Sequence, residues 1–429
     1  MIPSPISRYL DSKGIRGPWR IAGPRRTDFQ GAVVIPALAE KDFLFGTLDS
    51  LAGNPREFLS RFLILVVINN CSDANPADKV DNGETLDLIS NGERISRNLQ
   101  IGWIDAASNG LELPPKDGGV GMARKIGFDL ALPQLAFNSP PSLLVSLDAD
   151  TLVRPDYLPA ILKHFQEAKE GGAVIPFCHQ RGKTPEQEAA IQRYELFLRS
   201  YVLGLEQAGS PYAFHTVGSA MACRADAYAR MGGMNHREAG EDFYFLQHLS
   251  KTAGVRKMGG TVVYPSPRVS HRVPFGTGPS ISRLLADGSG AVLFYRPECF
   301  QILKDWLALV SENLESEGED ILLKGRRISE ELGFYLTQIR FAPTWEKLQK
   351  NFRLPPLLFK AFHHWFGGLK TLKLIHYLSA GPYPRTGPDS VIPEFLRWAG
   401  LEPLEGIENQ ISLLRRLQIG EPYDPLFRD

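Results

Sequence analysis

The sequence predicts an α/β fold, a mostly parallel sheet flanked by helices, followed by an α-helical C-terminal region. Three observations predict it. Two runs, Gly31–Ile35 and Phe62–Ile68, are apolar throughout and bracket a helical pattern. Strands buried on both faces read this way, and strand–helix–strand is the unit of a parallel sheet. A third apolar run, Leu143–Leu147, ends abruptly in Asp148-Ala149-Asp150. Beyond about residue 277 strand-like runs stop and only helical periodicity remains.

Each element follows in order. Residues 1–27, rich in Pro, Gly and Arg, read as an N-terminal arm. Gly31–Ile35 is the first strand, closed by Pro36. Phe43, Leu44, Thr47 and Leu48 carry helical spacing and predict a helix across one sheet face. Phe62–Ile68 is the second strand, closed by Asn69-Asn70. Residues 72–98 are polar and rich in Gly and Asn, and read as a loop with a short helix near Thr85–Ile89. Leu99–Ile104 is a third strand. Gly121–Leu132 is a helix with Met122, Ile126 and Leu130 on one face. After Leu143–Leu147 come a helix over Asp156–Lys169, a strand over Ala173–Phe177 and a long amphipathic helix over Pro185–Leu205. A helix over Phe243–Leu249 and a strand over Thr261–Tyr264 follow. The break near Gly276–Gly278 divides a domain over 28–277 from a helical domain over 278–429. Within the latter, Phe300–Leu314, Asp320–Phe341 and Leu354–Tyr377 carry helical periodicity.

Composition narrows the function classes. With 43% hydrophobic and 22% charged residues the chain has the balance of a globular protein with a core. Lys plus Arg and Asp plus Glu both number 48, so no basic excess points to nucleic acid. Cys71, Cys178, Cys223 and Cys299 are far apart, which argues against a zinc site or a disulfide framework and fits a reducing compartment. The first residues lack an apolar core of signal-peptide length, and no run of about 18 apolar residues exists. The expectation is a cytoplasmic protein with no spanning helix.

The chemistry starts at Asp148 and Asp150. Ligands of open α/β sheets bind outside the carboxyl ends of the strands. Two carboxylates there suit a hard divalent cation that fills its shell with oxygens, phosphate oxygens included. The plainer reading is an acidic turn, where Asp is common. Arg124-Lys125, near the start of the helix before this strand, offer fixed positive charge for a diphosphate or a ribose; by residue type alone they are a solvated basic face. Glu241-Asp242, at a helix start, offer a carboxylate general base or an N-cap. His271 is a further imidazole ligand or a surface histidine, and imidazole favours Mn²⁺ over Mg²⁺.

Five segments, in this order, resemble the family 2 class of nucleotide-sugar glycosyltransferases of the GT-A fold. Val33-Val-Ile-Pro36-Ala37 with Glu40 is similar to the family's opening strand and its nucleotide-facing end. Val66-Val-Ile-Asn69-Asn70-Cys71-Ser72-Asp73 resembles the second strand end near the base. Gly119-Val-Gly121-Met-Ala-Arg124-Lys125-Ile-Gly127 resembles a segment usually written Ala-Arg-Asn-x-Gly. Asp148-Ala-Asp150 resembles the metal motif. Gly232-Gly233-Met-Asn235 followed by Gly240-Glu241-Asp242 resembles the acceptor-side motif. The resemblance runs from about Gly31 to His271.

It implies a Rossmann-like GT-A domain, a UDP- or GDP-linked sugar donor, a hydroxyl acceptor and a Mn²⁺ or Mg²⁺ cofactor. Asp150 would bind the cation directly and His271 would be a further ligand. Asp148 would contact the ribose, or the cation through water. Pro36, Ala37, Glu40, Asn69, Asn70, Arg124, Lys125 and Arg272 would line the nucleotide, and Arg268 could also meet the diphosphate. Asp242 would be the general base, supported by Glu241, with inversion at the anomeric carbon. Phe275–Pro279 could form a lid.

Three features depart from the family pattern. Asn69 and Asn70 stand where aspartates are usual, and Lys125 stands where Asn is common. The Gln-x-x-Arg-Trp string is missing; Glu394-Phe-Leu-Arg397-Trp398 comes nearest. Its loss, with no spanning run, argues against a processive synthase.

Pro355–Tyr377 carries three Lys, three His and no acid. It reads as a core helix with one wet face. The alternative is a peripheral contact with the inner membrane face or a lipid-linked acceptor. Two other functions share part of this pattern. A phosphatase of the haloacid dehalogenase type also places two aspartates at a strand end, but its motif carries Thr two positions after the second, which Thr151-Leu152-Val153 does not match. A non-catalytic nucleotide-sugar-binding protein would not need Asp148, Asp150, Asp242 and His271 together.

Overall fold

Gly31–Ala37 and Phe62–Asn69 are buried at every position and pair in parallel, Gly31 opposite Phe62 and Ala37 opposite Ile68. The register requires glycine at its first position, because a Cβ on Gly31 would lie 2.3 Å from Phe62 Cε1. The computed structural model describes residues 2–420 apart from 25, 117, 139–140, 238, 271–275 and 289–291. The chain forms two compact units, residues 1–188 with 216–279 and 418–429, and residues 189–215 with 280–417.

In chain order the first unit carries α1 (Ser4–Lys13), β1 (Gly31–Ala37), α2 (Lys41–Ala52), α3 (Arg56–Leu59), β2 (Phe62–Asn69), α4 (Pro76–Ser90), β3 (Gln100–Ala106), α5 (Val120–Ala131), β4 (Leu143–Ser146), β5 (Leu152–Val153), α6 (Tyr157–Glu167) and β6 (Gly172–Val174). Helix α7 (Pro185–Gln207) spans the division in sequence. Then come β7 (Met221–Arg224), α8 (Ala225–Met231), α9 (Glu241–Ala253), β8 (Val255–Lys257) and β9 (Val263–Tyr264). The helical unit holds most of α10 (Thr277–Asp287), then α11 (Pro297–Glu312), α12 (Gly318–Ile328), α13 (Glu330–Gln338), α14 (Phe341–Asn351), α15 (Pro355–Trp365), α16 (Gly368–Ala380), α17 (Pro388–Trp398) and most of α18 (Ile407–Ile419).

The sheet has seven strands in the order β3-β2-β1-β4-β7-β6-β8. β3, β2, β1 and β4 run parallel, and β7 lies antiparallel between β4 and β6. The order reverses beside β1, so the residues after β1, β2 and β4 emerge along one edge. That edge is where an open parallel sheet binds ligands. It brings Glu40, Asn69, Asn70, Asp148 and Asp150 to one side of the unit.

The structure differs from the sequence expectation at five places. Residues 1–27 are more than an arm, since α1 buries Ile6 and Tyr9. The stretch 72–98 holds a full helix, α4, started by Asn75, whose side chain accepts from the amides of Ala77 and Asp78, and by Pro76 at its first turn. That helix buries only Asn82, Thr85 and Ile89, so it shows no apolar stripe. β7 is four residues long, too short for its alternation to register. Asp320–Phe341 is broken by Ser329, whose Oγ caps α13 through the Leu332 amide at 3.3 Å, and by Arg340 at φ 57° before α14. The break in Leu354–Tyr377 lies between α15 and α16.

The helical unit has its own core. Trp306 meets Phe341 edge-on with centroids 4.9 Å apart, and Phe362 and Phe366 close around Trp306. Glu195, fully buried, accepts from Arg199 Nε at 2.8 Å and from both Nε and Nη2 of Arg415 at 2.6 and 2.9 Å.

Candidate active site

Asp148-Ala149-Asp150 is a turn pinned from two sides. Thr47 of α2 donates to the Ala149 carbonyl at 2.8 Å. Gln180 Nε2 bridges the carbonyls of Asp150 and Tyr264, at 2.9 and 2.7 Å, tying the turn to β9. The two carboxylates face different cations.

Asp148 pairs with Arg124, which is almost wholly buried in α5. The guanidinium spreads over three partners. Nε donates to Ser146 Oγ at 2.9 Å, Nη2 to Asp148 and Nη1 to Glu241. It packs so tightly on Gly218 that a Cβ there would lie 2.4 Å from Nη2. Burial pulls the Arg124 pKa down, but Asp148, Glu241 and Asp242 outweigh it and hold the pKa above its ordinary value.

Glu241 and Asp242 open α9, whose N-cap Gly240 is left-handed at φ 68°. Asn235 Nδ2 holds the Glu241 carbonyl at 3.0 Å, which fixes the entry to the helix. Asp242 Oδ1 accepts from the Phe243 amide at 2.7 Å. Burial, then the charge of Glu241, push the Asp242 pKa up to about 7, and Asp148 adds to this; Arg124 and the Phe243 amide pull against it. Glu241 is also raised, by burial against the pull of Arg124. One guanidinium thus faces three carboxylates, Asp148, Glu241 and Asp242. Such an imbalance, in a place where one side chain stays 37% exposed (Asp148), is the kind that shifts titration toward neutrality at working sites.

Asp150 belongs to a second group. Its Oδ2 takes Arg268 Nε at 2.6 Å, while Arg268 Nη2 pairs with Glu40 and the guanidinium lies 4.5 Å over the Phe43 ring. Pro36 and Ala37 are buried backbone of β1. Below them Ala39, at φ 50°, donates its amide to Asn82 Oδ1 at 2.9 Å. Asn82 Nδ2 in turn donates to the Asn69 carbonyl and to Asn70 Oδ1, at 3.1 and 2.8 Å. Asn70 is therefore spent on holding the β2 end to α4. Asn69 Oδ1 is buried without a partner. Tyr157 Oη, which feels the Asp148 charge, is likewise buried without a partner, and burial first, then Asp148, raise its pKa.

Lys125 is not brought to this edge. Its Nζ donates to Tyr9 Oη at 2.8 Å, to Asp129 Oδ2 at 2.8 Å and to the Lys13 carbonyl at 3.0 Å. Helix geometry turns it away from Arg124 and against α1. His271 and Arg272 lie outside the described residues. Among the described residues no three His, Cys, Asp or Glu side chains are grouped as a metal site.

Sequence reasoning missed Asn82 and Gln180. Their only signal was residue type: an Asn inside a polar stretch that folds as a helix, where it is a poor former, and a Gln between a strand-like run and a long helical one.

Residues 143–354 match the family model described as glycosyl transferase family group 2. No curated protein matches the chain in sequence. Among solved structures, residues 1–349 of TarS from S. aureus in complex with UDP-GlcNAc are 14% identical, covering 83% of this chain and 93% of that one at a TM-score of 0.38. The mannosyltransferase PcManGT from Pyrobaculum calidifontis in complex with GDP-Man and Mn²⁺ is 13% identical, covering 98% and 93% at 0.35. Likenesses this slight do not bear on the site. The family match takes in β4 with its Asp148/Asp150 turn and α9 with Glu241-Asp242, so both acidic pairs lie in a region similar to glycosyl transferase family group 2.

Proposed function

We propose that the chain moves a sugar from a nucleotide-diphosphate donor to an acceptor hydroxyl, with inversion, without processivity and with a divalent cation bound. The observation that carries the reading is Asp242, a carboxylate raised to about 7 at a helix start beside the Asp148 turn. A general base works best when its pKa lies near the working pH. In the proposed step Asp242 takes the acceptor hydroxyl proton. The acceptor oxygen bonds to the anomeric carbon, and the bond from that carbon to the diphosphate oxygen breaks, its electron pair leaving with the nucleotide. Glu241, tied to Arg124, holds the base's neighbourhood.

The residue types suit a cation, which would displace the guanidinium partners that Asp148 and Asp150 hold in this structure. Asp148 and Asp150 offer hard oxygens on one pinned turn, with Asp148 reachable from solvent. Mn²⁺ or Mg²⁺ would be held by Asp150 and Asp148, with His271 as the proposed further ligand and donor oxygens filling the shell. When bound, such an ion neutralises the charge left on the diphosphate. Arg268 and Arg272 are the proposed diphosphate contacts. Asn69, with its free acceptor oxygen, is the proposed base contact, beside Pro36 and Ala37. We read 28–277 as the catalytic domain and 278–429 as a helical domain. No described helix is long and apolar enough to cross a membrane.

Thermal shift tests the reading. UDP or GDP is expected to stabilise the protein only with Mn²⁺ or Mg²⁺, since a specific ligand raises apparent stability by mass action. Asp150→Ala is expected to abolish that shift. Undiminished cation-dependent binding in the variant would remove Asp150 as the main ligand. Phosphate release without sugar transfer would favour the phosphatase reading instead.

A further inference from the structure

The apolar face of the basic stretch 355–377 is used up in the helical unit's core. α15 buries Leu358, Ala361 and Phe362, and α16 buries Thr371, Leu374, Ile375 and Leu378. The residues at its start and just ahead of it are different. Every residue from Lys350 to Leu357 is exposed, and so is Lys360. Three of them are large and apolar: Phe352 is 37% exposed, Leu354 63% and Leu357 49%. Singly such residues are ordinary on a surface, but three within six positions are not.

The backbone holds them there. α14 ends at Asn351, Phe352 is extended at φ −128° and ψ 91°, and Leu354 at φ −84° and ψ 125° precedes the Pro355-Pro356 start of α15. A residue before proline is kept out of the helical region, so Leu354 cannot coil down onto α15. The result is a short stiff link with apolar side chains at its tip.

Charge says what the tip fits. Between Glu346 and Asp389 the chain has no Asp or Glu and seven Lys or Arg. Lys350, Arg353 and Lys360 alternate with the exposed apolar residues. A surface that is apolar at its tip, cationic around it and free of acids along this stretch matches one environment: an anionic interface whose headgroups meet the cations while the acyl boundary takes the apolar side chains.

We propose that Lys350–Leu357, with Lys360, is a membrane contact that seats the helical unit on an anionic lipid bilayer. Attachment is peripheral and needs both the cations and the apolar tip. It stands independently of the sugar-transfer reading, because none of these residues belongs to the Asp148 edge.

Flotation of the full chain with phosphatidylcholine vesicles, with and without phosphatidylglycerol, tests it. The protein is expected to float only with phosphatidylglycerol present and to be released by high salt, which screens charges beyond a Debye length. The triple replacement Lys350→Gln, Arg353→Gln, Lys360→Gln is expected to lower partitioning by about a hundredfold. Leu354→Ser with Leu357→Ser is expected to lower it by about tenfold. All five side chains are exposed, so thermal melts should match the parent chain. Failure of the parent chain to float, equal binding to neutral vesicles, or flotation unchanged in both variants would each overturn the proposal. So would a concentration-dependent dimer in sedimentation that Leu354→Ser with Leu357→Ser abolishes, which would assign the surface to a second copy of the chain.

Discussion

Arg124 and Lys125 are adjacent on α5, both buried and both ion-paired, yet they serve opposite ends of the unit. At 3.6 residues per turn, neighbours on a helix point about 100° apart. Arg124 points to the Asp148 edge and meets three carboxylates, one of them half open to solvent. Lys125 points to α1 and meets one, Asp129, which is closed off completely. Asp129 is also fully supplied: Tyr9 Oη and Tyr228 Oη donate to Oδ1, and Lys125 Nζ and the Ile15 amide donate to Oδ2, at 2.7 to 2.8 Å. The Tyr9 hydroxyl fits because Gly233, at φ 81°, has no Cβ, which would sit 1.9 Å from it. A balanced, saturated cluster serves as scaffold. An unbalanced one that reaches solvent is costly to keep and leaves groups free to titrate.

The largest effect is expected on the Arg124 side. Asp242→Asn should lower turnover by about two to four orders of magnitude, the range for a lost general base. Donor affinity measured by calorimetry should stay within a few fold. Loss of donor binding together with turnover would make Asp242 structural or donor-facing, and Glu241 would become the candidate base if turnover were unchanged.

Next comes a stability test of the Lys125 side. Lys125→Met strands Asp129 in the interior, and breaking a buried pair this way costs about 3–5 kcal/mol. Chemical denaturation should show that loss, while the folded fraction keeps its affinity for nucleotide. Arg124→Met should lose both stability and turnover. If Lys125→Met abolished nucleotide binding in protein that still melts cooperatively, the division between the two clusters would be wrong.

A smaller effect is expected from Tyr9→Phe. It removes one of the four donors to Asp129 and one acceptor for Lys125, without a change in shape. The expected cost is about 1–3 kcal/mol, that of a buried group left unsatisfied. An unchanged denaturation midpoint would mean that the Tyr9 hydroxyl adds nothing to the hold on α1.

The same comparison shows what could be read from sequence. The parallel sheet was legible because β1 and β2 are buried at every position, so their composition alone marks them. The Asp148 turn was legible because it ends such a run. The division of labour between Arg124 and Lys125 was not, since two adjacent bases look alike until the helix is given a rotation. Asp148 and Asp150 read as one site, yet they face different guanidinium groups, and only the fold brings Arg268 across from beyond β9. Likewise, Asn69 and Asn70 read as a pair; Asn82, twelve positions and more downstream, decides that only Asn69 keeps an open acceptor.

The smallest expected effect is on pH dependence, and it separates the clusters without unfolding either. Asp242 sits at about 7, raised by burial first and by Glu241 next, and lowered by Arg124. Turnover should therefore rise with pH through about 7, as the base gives up its proton. Stability runs the other way. A carboxyl raised on folding binds more protons in the native state between its unfolded value and about 7, so this contribution is greatest below that window and is lost as pH rises through it. Glu241→Gln removes a charge that raises Asp242, and the limb should move down. Arg124→Gln removes one that lowers it, and the limb should move up. Tyr9→Phe, confined to the Asp129 cluster, should leave the limb in place. The measurement is kcat/KM against pH for the three variants beside the parent chain. Opposite shifts at Glu241 and Arg124 with none at Tyr9 are the outcome that the two-cluster arrangement requires. A shift of the same sign in all three would mean that α5 moves as a body and couples its two faces.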